Sequence, residues 1–358
     1  MILLGSTGSI GQNALSLARD FHLPVEVLVA GHNLSLLNAQ IAEFQPKIIV
    51  IADSSRASEL SLPKDSKLLF GEEGIIESLH LAQSSFVLNA LVGFLGLRPT
   101  LESLRLGKTL ALANKESLVA GGSFVDASKI IPVDSEHFSL WFLKSDKPFS
   151  RLFITASGGA FRDTPLEEIP LQKAQAALRH PNWSMGRKIT VDSATMVNKL
   201  FEILEARWLF NTKSVDALIE RNSLVHALIG YPDGSFSAHI AQADMRLPLA
   251  YAMLGKLDQP LGPPLELERL AALSFEPINP SRYPLWNLKE KLLTHPWLGI
   301  TLNAANEVAV EKFLEGKILF GEIPRYIERS LERFSMIPAS IEELFALDSE
   351  VRQFAHKL

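Results

Sequence analysis

Up to about residue 133 the chain repeats one pattern: a short β-branched run, a turn rich in glycine or polar residues, then a longer stretch of helical periodicity. The runs fall at 2–4, 25–30, 48–52, 68–70, 86–91, 109–113 and 129–133. Strands alternating with helices at this spacing predict a doubly wound α/β unit with a Rossmann-like parallel sheet. In such a sheet ligands gather outside the carboxyl ends of the strands. The residues just after each run are therefore where chemistry is expected.

The first such position carries Gly5-Ser6-Thr7-Gly8-Ser9-Ile10-Gly11, a GxxGxxG spacing between a strand and a helix. Glycines there let the backbone approach a pyrophosphate, whose charge is met by the amides and dipole at the helix start. Dinucleotide binding follows as the expectation. The run at 25–30 leads into Gly31-His32-Asn33. No carboxylate stands there to hold a ribose 2′-hydroxyl or to repel a 2′-phosphate, which favours NADP over NAD.

The boundary of this unit is placed at Asp134, giving a nucleotide-binding domain over 1–134. Residues 135–255, with runs at 152–155, 189–191, 224–229 and 235–241, read as an α+β catalytic domain. Tyr231-Pro232-Asp233-Gly234 signals a hairpin within it. Clustered prolines suggest an extended linker over 256–284, and helical periodicity over 301–314 and 323–334 predicts an all-helical C-terminal domain, 285–358.

Composition narrows the function. The absence of cysteine excludes disulfides, thiolate metal sites and the cysteine-nucleophile dehydrogenases that share a nucleotide-binding start. A net charge of -5 gives no general attraction to nucleic acid or anionic membrane, so an anion would be held by a local cluster. The longest apolar run, 86–97, is too short for a membrane span of roughly 20 residues. With no signal-like segment ahead of Ile2, the expectation is a cytoplasmic protein.

Two segments carry most of the candidate chemistry. Asp134-Ser135-Glu136 sets two carboxylates two residues apart; if the strand at 129–133 continues, both project from one face and suit a hard dication. Residues 179–188 hold three cationic side chains together with Pro181, Trp183 and Gly186, the make-up of a mobile lid over an anion. A strand at 189–191, capped by Asp192 or Ser193, is expected to lead into a helix on which Asn198, Lys199 and Glu202 share a face. Asn114-Lys115-Glu116 stands at another carboxyl end, and Ser157-Gly158-Gly159 has the form of an anion nest.

In their order, GSTGSIG at Gly5, AGHN at Ala30, ALANKES at Ala111, PVDSEH at Pro132, TASGGAF at Thr155, RHPNWSMGRKITVDSATM at Arg179 and LNAANE at Leu302 resemble the 1-deoxy-D-xylulose 5-phosphate reductoisomerase family. That resemblance implies conversion of deoxyxylulose phosphate to methylerythritol phosphate in isoprenoid biosynthesis. It also implies NADPH, a divalent cation (Mg2+ or Mn2+, with Co2+ a further candidate) and a homodimer. The implied metal ligands are Asp134, Glu136 and Glu202. Thr7, Gly8, Ser9, Ile10, Gly31, His32, Asn33, Asn114, Glu116 and Gly186 fall at cofactor positions. Lys115, Glu136 and His180 fall at catalytic positions and, with Ser135 and Glu202, contact the sugar phosphate, whose phosphate group falls to Ser157, Ser193, Asn198 and Lys199.

Three departures from the family pattern stand out. His32 is found where lysine or arginine is common, Leu200 where glycine is usual, and Glu220-Arg221-Asn222-Ser223 in place of His-Pro-Gln-Ser. Two other readings share the nucleotide fold: a non-catalytic NADP-binding sensor, and a homoserine-type or other NADP-dependent sugar-phosphate dehydrogenase. A sensor has no need for three metal ligands and a closing lid, and a dehydrogenase would not need the rearrangement.

Overall fold

The computed structural model describes residues 1–183, 185–269 and 272–358. The chain opens with β1 (Ile2–Leu4), α1 (Ser9–Asp20), β2 (Val27–Ala30), α2 (Leu34–Phe44), β3 (Ile48–Ile51), β4 (Lys67–Phe70), α3 (Gly71–Leu81), β5 (Phe86–Asn89), α4 (Leu97–Arg105), β6 (Thr109–Leu112), α5 (Glu116–Gly121) and β7 (Ile130–Pro132). It continues through α6 (Ser135–Leu143), β8 (Arg151–Ala156), α7 (Ala174–Ala177), α8 (Arg187–Thr195), α9 (Val197–Leu209), β9 (Val215–Ile219), β10 (Val225–Gly230), β11 (Phe236–Ile240) and α10 (Arg246–Leu254). Last come β12 (Glu276–Pro277), α11 (Lys289–Thr294), α12 (Gly299–Leu314), α13 (Ile323–Arg333) and α14 (Ile341–His356).

Two compact units result. The first comprises Met1–Ser117, Val125–Asp134 and Met245–Gly262; the second comprises Leu118–Phe124, Ser135–Asp244 and Pro263–Leu358. Helix α10 thus lies with the first unit, and the C-terminal helices lie with the α+β segment.

In the first unit seven strands run parallel in the order β4-β3-β2-β1-β5-β6-β7. The order reverses at β1, between β2 and β5, which is where an α/β sheet opens a crevice at its carboxyl edge. β1, β2 and β3 are buried on both faces, which is why they read as unbroken apolar runs. Leu15, Leu37 and Ile41 from the helices and Leu249 and Ala250 from α10 close one apolar core over this sheet.

The second unit has a five-stranded mixed sheet, order β11-β10-β8-β9-β12, with only β8 and β9 parallel. The hairpin forms as its signal predicts: the Tyr231 amide donates to the Ser235 carbonyl at 2.9 Å and Gly234 takes φ +87. Helices α13 and α14 pack on α12, whose side chains are nearly all buried.

Three expectations are corrected. The 189–191 run is helical, lying inside α8, with Gly186 rather than Asp192 or Ser193 in the cap position. An i,i+4 ion pair between Lys188 and Asp192 at 3.0 Å and a bond from the Thr190 hydroxyl to the Gly186 carbonyl at 2.8 Å favour the helix there over the β-branched preference for strand. The strand before Asp134 does not continue, because β7 ends at Pro132 and Ser135 opens α6. The proline-rich 256–284 segment is more than a linker: β12 pairs antiparallel with β9, and Tyr283 is buried. Leu270 and Ala271 of that segment lie outside the described residues.

Candidate active site

At the nucleotide end, Gly5 sits at φ +92, and a Cβ there would stand 2.5 Å from the Ala90 carbonyl oxygen, so only glycine lets the chain turn at this point. The Gly5 and Ser6 amides both donate to the Val29 carbonyl, at 3.0 and 2.8 Å, tying the turn to β2. Helix α1 then starts with no side-chain cap and no acid in its first turn. Gly8 and Ser9 are exposed beside Thr7 and Ile10, so neither a capping side chain nor a first-turn acid competes for the amides and dipole of this helix start.

After β2, Gly31, His32 and Asn33 are all exposed. The Asn33 side-chain oxygen accepts from the Leu36 amide at 3.2 Å and caps α2. Asn114 is buried after β6; its amide donates to the Leu91 and Gly93 carbonyls at 2.9 and 2.8 Å and to the Glu116 carboxylate, fixing the turn that presents Lys115. Lys115, also buried, forms an ion pair with Asp134. Asp134 ends the second segment of the first unit and is peptide-bonded to Ser135, the first residue of α6.

In the second unit Glu136 lies in the first turn of α6, and its carboxylate accepts from the Ser135 hydroxyl at 2.7 Å. Helix α9 brings Asn198, Lys199 and Glu202 onto one face, as their spacing predicts. The Lys199 ammonium is 3.0 Å from Glu136 and hydrogen-bonded to Glu202, while the Asn198 amide donates to the other Glu202 oxygen. Oxygens of Glu136 and Glu202 lie within 4.8 Å of one another. Behind them His137 is fully buried; its Nε2 donates to the Glu202 main-chain carbonyl at 2.9 Å and its Nδ1 faces Glu205 at 3.2 Å.

Ser157-Gly158-Gly159, read from sequence as an anion nest, forms a tight turn. Both glycines take positive φ, +89 and +68, and the Gly159 amide turns back to the Ser157 hydroxyl at 3.1 Å. A Cβ on Gly159 would lie 2.7 Å from the Ser193 carbonyl, so this turn and α8 fit together only through a bare backbone. Ser193 thereby comes beside the nest. The Ser157 hydroxyl is 2.9 Å from His180 Nε2, and His180 Nδ1 accepts from the amides of Asn182 and Trp183 at 3.2 and 2.9 Å. With Nδ1 accepting, the proton of the neutral ring is on Nε2 and points at Ser157. Burial, with help from the Arg162 and Lys199 charges, pushes the His180 ring down to about 4 and keeps it neutral.

The segment 179–188 is irregular up to Gly186 and helical from Arg187; Ser184 within it lies outside the described residues. Trp183 stands edge-on to His226 with centroids 6.1 Å apart. The Asn182 amide donates to the Arg221 carbonyl and the Ser223 hydroxyl, both at 2.7 Å. Glu220 of this departing segment is buried and accepts from the amides of Asn222, Leu224 and Val225, so it makes its own turn.

Several supporting residues lie outside the site residues expected from the sequence. Tyr283 donates to the Gly158 carbonyl at 2.8 Å, and Arg282 to the Phe161 and Thr164 carbonyls at 2.7 and 2.6 Å, clamping the nest from a distant segment. Asn306 of α12, in the LNAANE motif, donates to the buried Asp192 carboxylate at 2.8 Å, and Asp192 in turn pairs with Lys188. Only the long sequence separation hid them.

Comparison with known proteins decides the family. Models described as 1-deoxy-D-xylulose 5-phosphate reductoisomerase, its C-terminal domain, and DXP reductoisomerase C-terminal domain match residues 1–122, 130–210 and 240–354. The chain belongs to the 1-deoxy-D-xylulose 5-phosphate reductoisomerase family. A reductoisomerase from Helicobacter pylori (strain Shi470) is 52% identical, covering 99% of this chain and 98% of the relative. One from Nautilia profundicola is 48% identical over the same shares. A crystal structure of a DOX-P reductoisomerase in complex with NADPH, fosmidomycin and magnesium matches with a TM-score of 0.91 at 32% identity, covering 99% of this chain and 97% of that one. The Zymomonas mobilis reductoisomerase in complex with NADPH gives 0.88 at 33% identity, again covering 99% and 97%.

Proposed function

We propose that this chain converts 1-deoxy-D-xylulose 5-phosphate to 2-C-methyl-D-erythritol 4-phosphate by isomerisation and NADPH-dependent reduction, with a divalent cation. Family membership carries the reaction. The observation carrying the site is the pairing of Glu136 and Glu202 around one ammonium, with Asp134 two residues ahead of Glu136. Carboxylate oxygens alone suit Mg2+ or Mn2+, and the donor set therefore fits the implied cation. When bound, that cation polarises the carbonyl and hydroxyl oxygens of the substrate for rearrangement, and NADPH supplies the hydride for the reduction.

The protein's own groups do the rest. Lys115, presented by the Asn114 turn, offers a proton-bearing charge to oxygens on which negative charge develops. Ser157, Ser193, Asn198 and Lys199 hold the phosphate, and neutral His180 donates from Nε2 to the Ser157 hydroxyl, leaving the Ser157 proton to turn toward the same ligand. Segment 179–188 closes over the substrate and excludes water. The turn at 5–11, with Gly31, His32, Asn33, Asn114, Glu116 and Gly186, receives the cofactor.

The protein is read as a cytoplasmic homodimer. None of the described helices is long and apolar enough to cross a membrane. The outer edge of the second sheet, β11, exposes Phe236 (54%) and Ile240 (37%), beside Trp141 and Phe142 of α6, a patch suited to a second copy. Phe236→Asp is expected to shift the sedimentation mass toward the monomer; an unchanged mass would place the interface elsewhere.

NADPH oxidation dependent on deoxyxylulose phosphate, abolished by chelator and restored by Mg2+ or Mn2+, tests the function. A homoserine-type dehydrogenase would oxidise NADPH with its own aldehyde instead. A sensor would bind NADPH and turn nothing over.

A further inference from the structure

We infer that Arg56, on the turn after β3, is the residue that recognises the 2′-phosphate of NADPH in this chain. The inference rests on the NADPH-binding reading above and adds a specificity residue to it. The position after β2 holds His32, so the strand end that would meet the adenosine ribose carries no permanent positive charge of its own. The fold supplies one from the next turn. The Arg56 guanidinium donates from Nη1 to the His32 main-chain carbonyl at 2.9 Å, which anchors it beside Gly31, His32 and Asn33 although it lies 24 residues on.

The surrounding charges favour this use. The Arg56 Nε and Nη2 atoms form a fork on Glu59, at 2.7 and 2.8 Å. That geometry is the one a phosphate would take, since both anions accept two parallel N–H bonds. The pair meets solvent, with the Arg56 side chain 34% and the Glu59 side chain 48% exposed, so it is weak and exchangeable for a dianion. Asp53 is occupied with its own turn, accepting from the Ser55 amide at 2.9 Å. Glu59 therefore acts as a placeholder that keeps the fork aimed, and the carbonyl of His32 keeps it in place. A cofactor lacking the 2′-phosphate would leave the Arg56–Glu59 pair untouched and gain nothing from it.

The test is the affinity of the metal-free protein for NADPH and for NADH, followed by nicotinamide fluorescence in Arg56→Ala, Arg56→Lys, His32→Ala and Glu59→Gln. Loss of a charge-assisted fork predicts that Arg56→Ala weakens NADPH by roughly 10- to 100-fold and leaves NADH within two-fold. Arg56→Lys recovers part of the loss, and Glu59→Gln tightens NADPH a few-fold by removing the competing carboxylate. Equal losses for both cofactors, or no loss for NADPH, would overturn the assignment, as would a selective NADPH loss confined to His32→Ala. Wild-type protein that binds neither cofactor would instead overturn the NADPH reading itself.

Discussion

Replacing Lys199 with methionine separates the ion pairing this side chain makes from the phosphate contact proposed for it. Its ammonium lies between Glu136 and Glu202, and Glu202 is only 1% exposed. Methionine keeps most of the volume and removes the charge, leaving two carboxylates within 4.8 Å with no cation from this helix between them. At an effective dielectric of 20 two unit charges at that separation repel by about 3 kcal/mol. Breaking a buried pair by deleting one partner costs about 3 to 5 kcal/mol. The chelator-treated variant should therefore lose stability on that order. A bound dication removes the same repulsion, and it no longer has to displace an ammonium. We expect the Mn2+ dissociation constant of Lys199→Met, measured by calorimetric titration at pH 8 with NADPH present, to tighten by at least about tenfold. Affinity for a phosphonate analogue should fall in the same preparation. General damage to the fold weakens both ligands, so opposite changes are diagnostic. Metal affinity that is unchanged or weaker would show that the ammonium is not the resident counter-charge of this carboxylate pair.

Glu202→Gln should abolish metal-supported turnover while NADPH affinity stays within a few-fold, as read by steady-state rates and fluorescence titration. Gly159→Ala combines left-handed backbone with a Cβ 2.7 Å from the Ser193 carbonyl; a stability loss of about 2 kcal/mol or more in urea and a raised substrate KM are expected, and a neutral outcome would disprove the close fit. Burial pushes His226 down to about 4, so the folded ring resists a proton that the unfolded ring takes below about 6.5. Its contribution to stability is thus complete above pH 6.5 and lost as pH falls toward 4, by at most about 3 kcal/mol, and His226→Gln should flatten the urea midpoint between pH 7.5 and 5. Asn306→Leu removes a bond to a buried carboxylate and should cost about 1.5 to 3 kcal/mol by denaturant unfolding.

Local pattern carried the first unit well. Strands β1, β2 and β3 are short, β-branched and buried on both faces, and the glycine turn between β1 and α1 has few other uses, so period and turn chemistry agreed. Spacing also sufficed for Asn198, Lys199 and Glu202, because a helix places i, i+3 and i+4 on one side wherever it packs. Lys188-Ile189-Thr190-Val191 shows where such reasoning fails. Its β-branched residues favour a strand in isolation, but Asp192, held by Asn306 from 114 residues away, rewards the helix that lets Lys188 reach it. Tyr283 and Arg282 were hidden for the same reason: their partners at 158–164 lie more than a hundred residues upstream. The Arg56 fork is a subtler case, since its anchor is a main-chain carbonyl and any residue at position 32 would provide one.

Helices α8 and α9 are joined by Met196 alone, in left-handed backbone at φ +68. One torsion pair thus sets how Ser193 on the first helix stands to Asn198, Lys199 and Glu202 on the second, so on the proposed reading this joint fixes one phosphate-binding hydroxyl against the rest of the ligand set. A change at residue 196 that abandons the left-handed conformation would then swing that hydroxyl away from all three side chains at once, so the register between the two helices is a property of the main chain at a single residue.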